Sequence, residues 1–291
     1  MHALVAIGAS PHRHGWKHLN IGPLALSSAL LALLFGVIAA LAVAGFLAKR
    51  GYADAGNSLY MALGIGLLGA RAAYVAGWWP QYVQQPSSML NIRDGGFDSI
   101  AGALGLVVAA LLIGWRRPPL RRPLAAGVAV GIAAWAFAGL VAYKLTATTH
   151  PGLPALVLSD LDGREVVLEK LRGQPTVINL WATWCGPCRR EMPVLAEAQR
   201  TMPQVRFVFA DQGESAAAVK QFMQAQRLAL DHVLIDGNLQ LSNHYNARGY
   251  PTTLFLDADG RLRDMHIGEL SRATLAERLQ RIHSPGAPAP R

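Results

Sequence analysis

The chain has 291 residues, of which 52% are apolar and 15% charged, with a net charge of +9. A soluble globular chain carries about 25% charged residues, so part of this one is expected to sit in lipid, and the length suggests two domains. The charge excess lies in residues 1–150, with 11 Lys and Arg against 3 Asp and Glu, while residues 151–291 balance at 16 against 15; the polar half lacks the basic face a nucleic-acid binder needs, and no nucleic-acid partner is expected.

In chain order, residues 1–20 are polar and rich in histidine (His2, His12, His14, His18). They read as a disordered terminus rather than a metal site. They are not read as part of a signal peptide, because the apolar stretch after them is too long for an h-region. Residues 21–146 hold four apolar segments, at 24–48, 59–79, 100–115 and 124–146, close to the roughly 20 residues needed to cross a bilayer. The third is short. All are rich in Gly and Ala, which let helices approach closely in lipid. Arg71 falls inside the second segment, where a charge must be paired or snorkel; a structural role is expected, facing either the headgroups or the bundle interior. Trp78 and Trp79 read as interface anchors. Lys49 and Arg50 follow the first segment, and Arg116, Arg117, Arg121 and Arg122 separate the third from the fourth. The positive-inside rule calls that side cytoplasmic, which places residues 80–99, both termini and everything after residue 150 on the outside, where disulfides persist.

Residues 147–154 form a Pro/Gly linker, 155–283 a second domain, and 284–291 a disordered Pro/Ala tail. In the second domain, strands are expected at 156–159 and 166–168 around the Asp162-Gly163 turn, then at 176–180, 205–210 and 233–235. A second hairpin at 253–256 and 262–267 turns at Asp259-Gly260, with Asp257 and Asp259 as turn residues. Helices are expected from Cys185 to about residue 201, at 215–226 with Ser215 as cap, and at 271–282. This alternation describes an α/β domain with a mixed sheet.

The chain has two cysteines, in Trp184-Cys185-Gly186-Pro187-Cys188. A disulfide scaffold uses more cysteines at wider spacing, and structural zinc needs four ligands, so the pair reads as redox chemistry and no metal or cofactor is expected. The motif follows a strand and opens a helix. That places Cys185 where unpaired N–H groups and the helix dipole favour a thiolate, with Cys188 one turn later to resolve a mixed disulfide. Pro187 suits the first turn, where its missing N–H is not needed. Trp181 and Trp184 are candidates to frame the site, although Trp181 reads equally well as core.

The run from Asn179 to Cys188 (Asn-Leu-Trp-Ala-Thr-Trp-Cys-Gly-Pro-Cys), continued by Arg-Arg-Glu-Met-Pro193, resembles the TlpA/ResA-like thioredoxin-fold disulfide reductases, as does Gly249-Tyr-Pro-Thr-Thr253. The resemblance covers about residues 150–283. It implies a thioredoxin fold with Pro251 cis beside Cys185, and a substrate-binding role for Tyr250 and Pro251. General thioredoxins carry a buried Asp where this chain has Asn179. Glu191 matches the acidic residue of the resembled family and is expected to exchange a proton with Cys188; the alternative is a surface Glu balancing Arg189 or Arg190. The resemblance also implies protein thiols and disulfides as substrates and a DsbD- or CcdA-like membrane protein as electron donor, because the apolar segments contain no cysteine.

A second resemblance covers about residues 20–115. Ile21-Gly-Pro-Leu24, Gly69-Ala-Arg-Ala-Ala-Tyr-Val75 and Arg93-Asp-Gly-Gly-Phe97 are similar to prolipoprotein diacylglyceryl transferases. Those enzymes follow the Gly-Gly pair with a catalytic His-Gly-Gly stretch. Here the chain reads Phe97-Asp-Ser-Ile-Ala-Gly102, with Ile100 near the His position, so the segment is expected to be a degenerate copy that anchors or docks. The expected protein is a four-span helical membrane domain followed by a thioredoxin-fold domain in the bacterial inner membrane, facing the periplasm and reducing disulfides with Cys185 and Cys188. An oxidase or isomerase with the same pair, a lipid transferase and a non-enzymatic docking module are the alternatives.

Overall fold

The computed structural model describes residues 28–146 and 152–283, so the termini expected at 1–20 and 284–291 lie outside the described residues. The first half holds α1 (Ser28–Lys49), α2 (Gly56–Gly77), a short α3 (Trp79–Val83), α4 (Ser99–Arg116) and α5 (Arg121–Thr146). Helices α1, α2, α4 and α5 are long and apolar enough to cross a membrane. Beside the buried Leu59 and Leu124, small residues take much of the interior. Ala40, Ala44, Ala62 and Ala70 are buried, while Phe35, Ile38, Leu68, Leu111 and Phe137 point outward. Lipid gives no drive to hide large apolar groups, so the interior goes to residues that allow close contact. Helix α1 lies along α5 and α2 along α4. A methyl on Gly66 would come within 2.8 Å of the Gly102 carbonyl oxygen, and one on Gly36 within 2.8 Å of the Gly131 carbonyl oxygen.

Arg71 faces the protein, which decides between its two expected positions. Its Nη1 donates to Asp94 Oδ1 at 2.9 Å and to the Gly96 carbonyl at 2.7 Å; its Nε donates to Met89 O, and its Nη2 to Ser88 O and Asn91 O. Asp94 is fully buried and also accepts from the Tyr82 hydroxyl at 2.8 Å and from the Gly96 N–H. A buried charge persists only when paired and hydrogen-bonded, and here one guanidinium ties together Ser88, Met89, Asn91, Asp94 and Gly96 of the connection between α2 and α4. Of the two expected anchors, Trp79 is exposed, whereas Trp78 packs beside Tyr74 and Tyr82.

The second half is a seven-stranded mixed sheet among the described residues. Its strands are β1 (Val157–Asp160), β2 (Glu165–Val167), β3 (Thr176–Trp181), β4 (Arg206–Gln212), β5 (Val233–Asp236), β6 (Thr252–Leu256) and β7 (Leu262–Ile267), in spatial order β2-β1-β5-β4-β3-β6-β7. Strands β3, β4 and β5 run parallel; β6 is antiparallel to β3, and the β1–β2 and β6–β7 pairs are the two expected hairpins. Helices α6 (Gly186–Thr201), α7 (Ala216–Gln226), α8 (Gln240–His244) and α9 (Arg272–His283) complete the domain. Alternation along the buried β3 serves two cores. Val177 and Trp181 join the layer under α6 and α9, while Ile178 and Leu180 join the opposite layer with Leu168, Val208 and Leu254. Trp181 is therefore a core residue, fully buried against Phe222.

Three features differ from expectation. Folded contacts begin inside the expected linker, where Leu153 is buried and its N–H donates to Gly260 O at 2.8 Å. Helix α8 was not expected, because five residues give too little periodicity to read. Asp257 is more than a turn residue. It is buried, accepts from the Arg261 N–H and pairs with Arg263 at 2.6 Å.

Candidate redox site

Helix α6 begins at Gly186, and Cys185 is its N-cap. Cys185 and Cys188 are joined in a disulfide, and the Cys185 sulfur accepts the Cys188 N–H at 3.2 Å. An N-cap acceptor satisfies one of the orphan donors of a helix start, and the same donors stabilise a thiolate on Cys185 once the disulfide is reduced. Cys185 is 5% exposed and Cys188 fully buried, so Cys185 is the sulfur of the pair nearer to solvent. Trp184 stands out beside it at 68% exposure. Its ring meets that of Tyr250 edge-on at 6.2 Å. The Tyr250–Pro251 peptide is cis, and β6 starts at once, so the sheet brings this loop to the motif. Gly186 and Pro187 form the first turn of α6.

Glu191 is fully buried, which removes the surface alternative. Its register explains this: Cys188, Glu191, Met192, Leu195 and Ala198 form the buried stripe of α6, a spacing that turns one helix face inward. Asn179 shares the face of Val177 and Trp181 on β3 and points at it. Asn179 Nδ2 donates to Glu191 Oε1 at 2.8 Å and to Thr253 Oγ1 at 3.0 Å, while the Leu270 N–H donates to Glu191 Oε2 at 2.9 Å. Burial pushes the Glu191 carboxyl up to about 8, outweighing the two donated hydrogen bonds. The carboxyl thus stands on the helix one turn after Cys188, with an amide on the strand bonded to it.

A family model described as Redoxin matches residues 147–279. Thiol-disulfide oxidoreductase ResA of Bacillus cereus is 33% identical over 131 residues, covering 44% of this chain and 75% of that protein. ResA of Geobacillus thermodenitrificans is 32% identical over 149 residues, covering 50% of this chain and 84% of that protein. The chain belongs to the ResA family of thiol–disulfide oxidoreductases. Membership makes it an enzyme acting on protein thiols and disulfides. A solved secreted disulfide oxidoreductase of Mycobacterium tuberculosis, homologous to E. coli DsbE, is similar at 25% identity and a TM-score of 0.40, covering 43% of this chain and 95% of that one. A prolipoprotein diacylglyceryl transferase model matches residues 17–145, the part holding the four apolar helices, and both observations agree with insertion in a membrane.

Two groups around this ResA-family site were not read from the sequence. Glu214 clamps the segment leading into the motif: its carboxylate accepts the Thr183 N–H and the Thr183 hydroxyl, each at 2.6 Å. Asp211, buried at the end of β4, accepts the Glu214 N–H at 3.0 Å. Burial, then the neighbouring Glu214 carboxyl, raise Asp211 to about 7. The second group holds Tyr250. Its hydroxyl lies 3.1 Å from Ser242 Oγ, which donates to Gln212 Oε1 at 2.6 Å; Gln212 Nε2 donates to Asp236, which accepts the Gln240 and Leu241 N–H groups at the start of α8. Neither set has a spacing signature, because its members come from β4, β5, α8 and three loops. Ser215 was legible as a helix cap, but nothing local says which backbone the preceding Glu214 would reach.

Proposed function

We propose that the protein is a membrane-anchored reductase of extracytoplasmic protein disulfides, with 21–146 as membrane domain and 155–283 as redox domain. The observation that carries this is Cys185 at the start of α6, disulfide-bonded to a buried Cys188. In the reduced enzyme the Cys185 thiolate attacks a client disulfide, forming a mixed disulfide and releasing one client thiolate. Cys188 gives up its proton, attacks the Cys185 sulfur and releases the second client thiolate. The client leaves as a dithiol and the enzyme as the Cys185–Cys188 disulfide, two electrons poorer. Glu191, ionised, is the base that takes the Cys188 proton. Trp184, Tyr250 and Pro251 form the surface on which the client lies, with Gly186 and Pro187 shaping the turn between the sulfurs. The two electrons return from a DsbD- or CcdA-like membrane thiol protein. The Gly-Pro dipeptide between the cysteines, shared with reducing thioredoxins, supports this direction over oxidation or isomerisation.

The basic residues Lys49, Arg50, Arg116, Arg117, Arg121 and Arg122 fall on the same side of the four helices. By the positive-inside rule this side is cytoplasmic, which supports a bacterial inner-membrane protein with the redox domain in the periplasm. Lipid transfer is a second reading, favoured by the transferase match to residues 17–145. Against it, Ile100 lies on the outer face of α4 near the position of the transferase histidine, and the Arg71 guanidinium is taken up by Asp94 and four carbonyls.

Cys188→Ser tests the main reading, since it stalls the mixed disulfide and leaves the client attached to Cys185. Recovery of a covalent, dithiothreitol-sensitive partner is expected. A reduction potential near that of the strongly oxidising DsbA, about −120 mV, would reverse the direction, and lipidation that survives Cys185→Ser would support the transferase.

A further inference from the structure

The connection between α2 and α4 does not hang free; it meets the redox domain at the corner between β7 and α9. The Tyr74 hydroxyl donates to Glu277 on α9 at 2.7 Å. Ala273 of α9 is buried against Tyr74 and Tyr82, with Trp78 and Met89 around them. Asn91 Nδ2 donates to Glu269 Oε1 at 3.1 Å. A methyl on Gly95 would stand 3.8 Å from the His266 ring, and one on Gly268 3.8 Å from the Arg93 carbonyl oxygen. Of the residues presented here, Tyr82, Met89 and Asn91 are bonded to Arg71 or Asp94, so the surface has supports within the membrane half itself.

The corner also faces the redox site. Glu269 is two-sided: Oε1 takes Asn91, while Oε2 takes Arg190 of α6 at 2.8 Å, two residues after Cys188. The next residue, Leu270, gives its N–H to Glu191.

We propose that the α2–α4 connection, folded around Arg71 and Asp94, is a dock for the chain's own redox domain, and that Asn91, by fixing Glu269, is a positioning residue for Glu191. The second clause rests on the role given to Glu191 above. The dock makes the membrane half more than a tether, because it sets the orientation of the cysteine pair and keeps water from the corner that covers Glu191. Around Glu191, the charged groups are Glu269 from the corner and Arg190 from its own helix, paired with each other, with His266 of β7 behind Glu269. Asn179, Thr253 and the Leu270 amide are neutral. Releasing Asn91 lets the corner open, and water then stabilises the ionised carboxylate.

Two measurements on the full chain test this. With Cys185 and Cys188 changed to Ser, Asn91→Cys and Glu269→Cys are treated with a short bismaleimide, and the connecting segment is then cut at an inserted protease site. The halves are expected to stay joined, and separation would overturn the dock. The pH profile of thiol–disulfide exchange in the Asn91→Ala, Tyr74→Phe variant is expected to move to lower pH by about half a unit or more, as partial rehydration of a buried carboxyl does. A wild-type profile would overturn the positioning role. Glu191→Gln separates the two failures. If it too keeps the wild-type profile, the fault lies with Glu191, and the crosslink alone supports or overturns the dock.

Discussion

Replacing Glu191 by Gln should remove a pH dependence of stability as well as of rate. The carboxyl is fully buried, and its proton affinity rises from an ordinary 4.5 to about 8. Between these values the unfolded chain has released the proton while the folded chain still holds it. The folded state therefore binds more protons, and stability falls as pH rises through that window, levelling off above about 8. At about 1.4 kcal/mol per unit, the full span is worth at most about 5 kcal/mol. Gln cannot ionise, so this component vanishes in the variant. The Gln amide also sets an N–H against one of the two donors, Asn179 Nδ2 or the Leu270 N–H, at about 1–3 kcal/mol that does not vary with pH. Hydrogen exchange of β3 amides in the full-length protein, corrected for intrinsic rates, reads the opening free energy. The wild type should be the more stable near pH 5, with its lead shrinking or reversing by pH 8. Parallel curves for the two proteins across that range would refute the reasoning.

The same sign holds for Asp211, whose folded-state affinity rises from 3.8 to about 7. Asp211→Asn should flatten the loss of stability as pH rises through that interval, seen in the same exchange experiment at β4. Ser242→Ala strips the Tyr250 hydroxyl of its partner and leaves Gln212 Oε1 unpaired, a loss of about 1–3 kcal/mol. Its kinetic signature should be a raised KM for a protein disulfide, with reduction of a small disulfide unchanged. Asp94→Ala leaves the buried Arg71 charge without its counterion and should lower the stability of the membrane half by about 3–5 kcal/mol, read as a drop in Tm in detergent.

Much of the protein was legible along the chain. Apolar runs of membrane length, the period-2 strands with Asp-Gly turns, and a Cys-x-x-Cys at a strand–helix junction are local patterns, because backbone hydrogen bonding and the helix dipole act within a few residues. These were enough for the two halves, for pairing Cys185 with Cys188 at a helix start, and for the alternatives at Arg71, Trp181 and Glu191. Choosing between those alternatives needed the tertiary structure, since each turned on which distant group stands opposite. Arg71 faces inward because Asp94 arrives from 23 residues away. Trp181 is core because Phe222 covers it. Glu191 has a raised proton affinity because β3 and the β7–α9 corner bury it. The clamp of Glu214 on Thr183, the anchoring of Tyr250 and the dock for the redox domain have no sequence pattern. Desolvation and pairing depend on what folding brings within about 3 Å of a group, and no spacing along the chain encodes that.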